Sequence, residues 1–163
     1  MLNLVKTRTE DCLTVILSGS LVQEALSIEK LLGEIPARLR LNCKHVARIN
    51  SQGVRAWIQF LQKTASRGTE VIFEECSTAM VQTLNMVSNF TRVARIESVY
   101  LPFACTSCHS ELQALAGASQ LARAGYRVST RQACPKCGGK AEFDDRSHEY
   151  FACLRRAEAR AAV

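Results

Sequence analysis

Apolar residues alternate or cluster over residues 2–9 and 12–17 on either side of Glu10-Asp11, which predicts a β-hairpin, and Gly19-Ser20 closes it. Over residues 22–35 the spacing changes: Leu26, Leu31, Leu32 and Ile35, with Ala25 and Ile28, predict an amphipathic helix stopped by Pro36. A strand follows at residues 38–42, and strand-like residues 45–49 run into Asn50, a good N-cap. From there Val54, Trp57, Ile58 and Leu61 recur at helical spacing, predicting a helix over residues 51–66 that Gly68 ends. Residues 71–73 make a short buried strand, and Ser77 caps a helix carrying Met80, Val81, Leu84 and Val87 up to about Phe90. Residues 96–103 form a last strand leading into Cys105. The order β-β-α-β-α-β-α-β predicts an α/β fold, a mixed sheet covered by helices.

The junction at residues 49–53 organises this pattern. Asn50 can accept from an unpaired amide of the first helical turn, and Ser51 and Gln52 fall where free N–H groups and the positive end of the helix dipole face outward. Glycine costs about 1 kcal/mol relative to alanine inside a helix, so Gly53 in the first turn predicts a close approach to its backbone. Trp57 reads as a core anchor. Cys12, Cys43 and Cys76, in or beside strands, read as small apolar fillers, and His45 as structural or exposed.

Charge changes little. The formal net charge is +6, and each half carries +3: 12 Lys+Arg against 9 Asp+Glu in residues 1–102, and 9 against 6 in residues 103–163. No basic segment precedes an apolar run, and no stretch approaches ~18 consecutive apolar residues, so the expected location is the cytoplasm, with no membrane partner.

Cysteine does change the picture. Cys105-Thr106-Ser107-Cys108 and Cys134-Pro135-Lys136-Cys137 are two Cys-x-x-Cys pairs, the second followed by Gly138-Gly139. A tetrahedral Zn²⁺ needs four soft ligands at about 2.3 Å, and each pair supplies two from one turn. Cys105, Cys108, Cys134 and Cys137 are therefore the expected ligands of a structural zinc, with His109 and Cys153 as substitutes. The paired motifs resemble a zinc ribbon. Between them, residues 110–124 have helix-forming composition interrupted by Gly117, and no structure is assigned to residues 109–133. Residues 140–143 predict a strand, and residues 147–154 an amphipathic helix or short strand in which Tyr150, Phe151 and Leu154 pack the module.

Four stretches carry a second resemblance: Gly19-Ser20-Leu21, Arg48-Ile49-Asn50-Ser51-Gln52-Gly53-Val54, Glu75-Cys76-Ser77-Thr78-Ala79 and Met86-Val87-Ser88-Asn89-Phe90. Over residues 1–102 they resemble the STAS family, named for sulphate transporters and bacterial anti-sigma factor antagonists. The resemblance implies two units, residues 1–102 as a STAS-like domain and residues 103–163 as a zinc-ribbon module with a tail. In the phosphorylatable antagonists the junction reads Asp-Ser-Ser/Thr-Gly, and its first serine accepts phosphate from a partner kinase. Ser51 matches that serine and is the phosphorylation candidate; Asn50 and Gln52 depart from the motif, which favours constitutive partner binding over a phosphoswitch. Asn50, Ser51, Gln52 and Gly53 are the implied partner-binding residues.

No nucleotide-binding glycine loop, carboxylate pair or triad stands out, and four thiolates leave a metal no open position for water, so no enzyme is expected. The expected function is a bacterial-type regulatory protein that binds an anti-sigma factor, kinase or other signalling protein around Ser51, with the ribbon as a second docking surface. The alternative is a nucleic-acid-binding ribbon whose Arg123, Arg127, Arg131, Lys136, Lys140 and Arg146 line one face.

Overall fold

The computed structural model of the chain describes residues 2–22, 25–129 and 131–162, with the side chains of residues 25–27 also outside the described set. The opening hairpin is present, β1 (Leu2–Arg8) against β2 (Cys12–Leu21). β2 continues through Gly19-Ser20 by register shifts against its other neighbour, with Gly19 at φ +94°.

Helix α1 spans Ala25–Leu32, shorter than the pattern predicts, because Gly33 turns to φ +74° and its amide donates back to the Glu29 carbonyl at 2.9 Å. Of the predicted helical residues, Gln23 and Glu24 and the side chains of Ala25, Leu26 and Ser27 lie outside the described residues. The two predicted strand segments on either side of Cys43 are one strand, β3 (Arg38–Ile49). α2 (Ser51–Ser66), β4 (Glu70–Glu74) and α3 (Thr78–Met86) follow. The predicted third helix ends early, and a separate short α4 (Asn89–Val93) covers Phe90. β5 (Ala94–Ile96) completes a five-stranded sheet of order β1-β2-β3-β4-β5, parallel except for the hairpin.

The predicted last strand is divided. Ile96 belongs to β5, and after Glu97 the chain enters β6 (Ser98–Cys105), the centre of a second, antiparallel sheet. β7 (Glu111–Gly117), β8 (Arg131–Ala133) and β9 (Lys140–Phe143) give that sheet the order β7-β6-β9-β8. β7 occupies the stretch whose composition favours helix. It alternates Leu112, Ala114 and Ala116 against the core with Glu111, Gln113 and Leu115 outward, and pairing with β6 overrides local propensity. α5 (Ala118–Arg123), α6 (Ser147–Tyr150) and α7 (Ala152–Ala161) complete the described elements.

One apolar core runs through both sheets. It holds Trp57, Phe73 and Leu84 and continues into Phe103, Tyr150, Phe151 and Leu154. Cys43 and Cys76 are fully buried fillers. α6 and α7 are tied onto α3 and α4 by polar contacts: Asn85 donates to the Tyr150 carbonyl (3.0 Å) and accepts from the Cys153 amide (2.8 Å). Arg156 donates to the Leu84 carbonyl and Arg160 to the Thr91 carbonyl, each at 2.6 Å. The Tyr150 hydroxyl donates to the Tyr100 carbonyl of β6. Among the described residues no helix is long and apolar enough to cross a membrane.

Candidate functional site

The first candidate is the start of α2. Asn50 has extended backbone (φ −96°, ψ 171°), and its Oδ1 accepts from the Gly53 amide at 2.7 Å, while the Val54 amide donates to the Asn50 carbonyl at 2.9 Å. The predicted cap is formed. Asn50, Ser51 and Gln52 are exposed, and Gly53 is buried. The close approach that glycine foretold comes from inside the molecule: a Cβ at position 53 would lie 1.8 Å from the Leu21 carbonyl oxygen and 2.7 Å from its carbon. The absence of a side chain at Gly53 therefore lets α2 seat against the end of β2, and Gly53 is not itself available to a partner. Arg48 and Arg55 flank the turn, both exposed and without an ion pair among the described residues. His45 is exposed on β3, opposite Ser18 of β2.

The second candidate is the cysteine cluster. Cys105 ends β6, Cys108 follows in the turn, and Cys134 and Cys137 lie in the connection from β8 to β9. Their four Sγ atoms lie within 4.8 Å of one another, with Cys105 to Cys137 at 3.5 Å and Cys108 to Cys134 at 3.8 Å. Four sulphurs about 2.3 Å from a common centre would stand about 3.8 Å apart, so the spacing fits a tetrahedral metal ion. Cys105 and Cys134 are buried, Cys108 and Cys137 exposed.

Backbone amides point at three of the four sulphurs, those of Cys105, Cys108 and Cys137. The Cys108 and Ser107 amides, both 3.4 Å from the Cys105 sulphur, lower its pKa. The Ser110 hydroxyl and amide hold Cys108 down at about 6. At Cys137 the Gly139 amide also favours the thiolate, but the neighbouring Cys105 and Cys108 outweigh it and push that thiol up to about 12. Four thiolates crowded together repel one another, and a bound cation relieves that repulsion.

The turn itself depends on two glycines. Gly138 sits at φ +71°, and a Cβ on Gly139 would meet the Ser107 Oγ at 2.6 Å and the Cys137 Sγ at 3.1 Å. The substitutes stand apart from the cluster: His109 is exposed at φ +56°, and Cys153 is fully buried at the start of α7, its thiol pushed up to about 12 first by burial and then by Cys76.

Ser107 and Ser110, one packing the turn and the other polarising Cys108, escape spacing arguments because they lie inside and beside the motif without being ligands. Asn85, which holds the tail, is likewise silent in sequence, since its partners lie 65 and 68 residues away.

A protein-family model described as STAS domain matches residues 5–100, more than half of the chain, and the chain belongs to the STAS-domain family. No curated protein matches it. The cysteine cluster lies wholly outside the matched residues.

Proposed function

We propose that this STAS-domain chain is a bacterial-type regulatory protein that binds a protein partner, of anti-sigma factor or kinase type, through the exposed turn of Asn50, Ser51 and Gln52. The observation that carries the reading is the state of that turn: Ser51 and Gln52 are exposed, while the Asn50 cap and the Gly53 contact with Leu21 hold the backbone in one conformation. A preformed surface loses little conformational entropy on docking. Arg48 and Arg55 beside it favour an acidic partner surface, and charge complementarity there would steer encounter. Members of the family are generally non-enzymatic, and we read this chain as a binding module.

Ser51 is the residue on which phosphate would act. An added −1.5 to −2 charge, roughly, would be tolerated by the amides of the first turn and would disrupt a partner fitted to the unmodified surface. Asn50 in place of the family's aspartate, and Gln52 in place of its second hydroxyl, favour constitutive binding.

We further propose that Cys105, Cys108, Cys134 and Cys137 hold Zn²⁺ as thiolates. Four protein ligands would close its coordination, making it a cross-link rather than a Lewis acid toward substrate. The amides of Ser107, Cys108 and Gly139 stabilise the charged sulphurs, and Cys105 passes the constraint to β6. The ribbon would then serve as a second docking surface. A nucleic-acid role is less favoured because Lys140 pairs with Glu142 and Arg146 with Glu149, neutralising two of the six cations that could line a face.

Affinity capture from the native host tests the reading. Wild-type chain and Leu115→Arg, changed far from the turn in sequence and on the second sheet, should recover the same protein, and Gln52→Arg should lose it. Equal recovery by Gln52→Arg would remove the turn from the interface, and recovery of nucleic acid that salt displaces would favour the alternative.

A further inference from the structure

β1 is an edge of the five-stranded sheet, paired on one side to β2 over its full length, Leu2 opposite Gly19 through Arg8 opposite Leu13. Among the described residues no strand takes its other side. A seven-residue edge presents a row of unpaired backbone groups, which proteins ordinarily guard with outward charges, proline, bulges or a covering element.

The guards are missing on the open face. There β1 shows Asn3, Val5 and Thr7, none charged, and the strand has no proline and keeps an unbroken register with β2. Its two cations lie on the opposite, helix-bearing face and are engaged. Lys6 Nζ donates to the Leu31 carbonyl at 2.6 Å, and Arg8 donates to the Glu34 carbonyl at 2.9 Å. Val5 is 59% exposed, and Ile16, directly opposite it on β2, is 36% exposed, so an apolar pair sits at the middle of the free edge.

We propose that two copies of this chain associate through β1, antiparallel about a two-fold axis at Val5, joining the two sheets into one of ten strands with the helices on the same side. The strand is complementary to itself in this register. Val5 meets the second copy's Val5, Asn3 meets Thr7, Leu4 meets Lys6 and Leu2 meets Arg8, so no like charges oppose and all seven residues pair. Moving the register one pair towards the C-terminus sets Lys6 against the second copy's Lys6. Moving it the other way puts Leu4 on the axis and leaves Thr7 and Arg8 without a counterpart within β1.

The other seven-residue edge, β7, turns Glu111 outward beside Gln113 and Leu115 and ends on Gly117, so its outward face carries the charged guard that the open face of β1 lacks. An interface of one strand pair is smaller than a standard one of about 1,600 Å², so the dimer is weak and concentration-dependent. Being isologous, it closes at two.

Sedimentation of the full chain under reductant, from about 5 to about 500 µM, tests the proposal in the weak-interface range. The wild type should rise from 18.0 kDa to a plateau at twice that mass. Val5→Lys and Val5→Glu should each weaken association at least tenfold, because like charges meet on the axis, and an equimolar mixture of the two should restore it. A wild type that stays monomeric, association untouched by Val5→Lys, no gain on mixing, or mass climbing past the dimer would each overturn it.

Discussion

The Leu21 carbonyl oxygen occupies the space where a Cβ of Gly53 would stand, at 1.8 Å. Neither atom can yield easily, because Leu21 is paired to Ile49 in the sheet and Gly53 is held by the Asn50 cap. Gly53→Ala is therefore expected to cost about 2–4 kcal/mol, well above the usual penalty for alanine at a compatible site, since the end of β2 or the first turn of α2 must move. Urea unfolding of the full chain checks it, and an unchanged midpoint would show that the junction is loose.

Asn50 gives a graded test of the same turn. Asn50→Ala removes the acceptor of the Gly53 amide and should lower stability by about 1 kcal/mol. Asn50→Asp keeps the acceptor, adds negative charge at the helix N-terminus and should raise stability by about 0.3–1 kcal/mol at neutral pH and low salt. The order Asp above Asn above Ala, read from thermal unfolding, supports a cap whose geometry is set by side-chain acceptance.

Removal of metal should act on the second sheet first. The purified chain should carry about one Zn²⁺, and Cys134→Ser should reduce metal content and loosen the β8–β9 connection. Binding requires thiolates and so releases protons; affinity is expected to fall as pH falls. An ordered second sheet with four titratable, reactive thiols and no metal would contradict the zinc assignment.

The thiol of Cys153 supplies an alkaline prediction. Burial, then Cys76, raises its pKa to about 12, so the folded chain holds a proton that the unfolded chain releases earlier. More protons bound in the folded state means that stability is full below about pH 8.5 and falls above it, with a slope from this group approaching 1.4 kcal/mol per pH unit. Cys76, also raised, adds to the slope in the same range, and Tyr150 adds to it above about pH 10. Cys153→Ala should lessen the slope between about pH 8.5 and 10 by about 1 kcal/mol per unit, whatever it does to stability at neutral pH.

The proposed division at residue 102 is open to direct test. A fragment of residues 1–102 keeps β1 to β5 and α1 to α4, yet loses the strands that flank β6, the Asn85 bonds to the tail and the cover of Tyr150 and Leu154. It is expected to unfold cooperatively at a lower temperature than the full chain. No transition would show that residues 103–163 complete the core, and an equal midpoint would show that those contacts contribute nothing.

What could be read from the chain was whatever local spacing determines. The hairpin, the 51–66 helix with its Asn50 cap, the Ser77 cap and each of the two Cys-x-x-Cys pairs follow from residues near one another in sequence. β3 is harder to see whole, because Lys44 and His45, two exposed residues in succession, break its alternation where the register against β2 shifts. β7 was hidden by alanine, leucine and glutamine, whose preference for helix loses to pairing with β6. Gly53 announced that something approaches it, but the carbonyl that does so belongs to a residue 32 positions earlier, and no local pattern names it.

Site-directed photocrosslinking addresses the docking surface most directly, with a photoreactive residue placed at Gln52 and, for comparison, at the exposed Leu115 on β7 of the full chain in its native host. A discrete protein adduct from position 52 that position 115 does not give is the predicted result. The same adduct from both positions, or adducts to nucleic acid alone, would contradict partner binding through the turn of Asn50, Ser51 and Gln52.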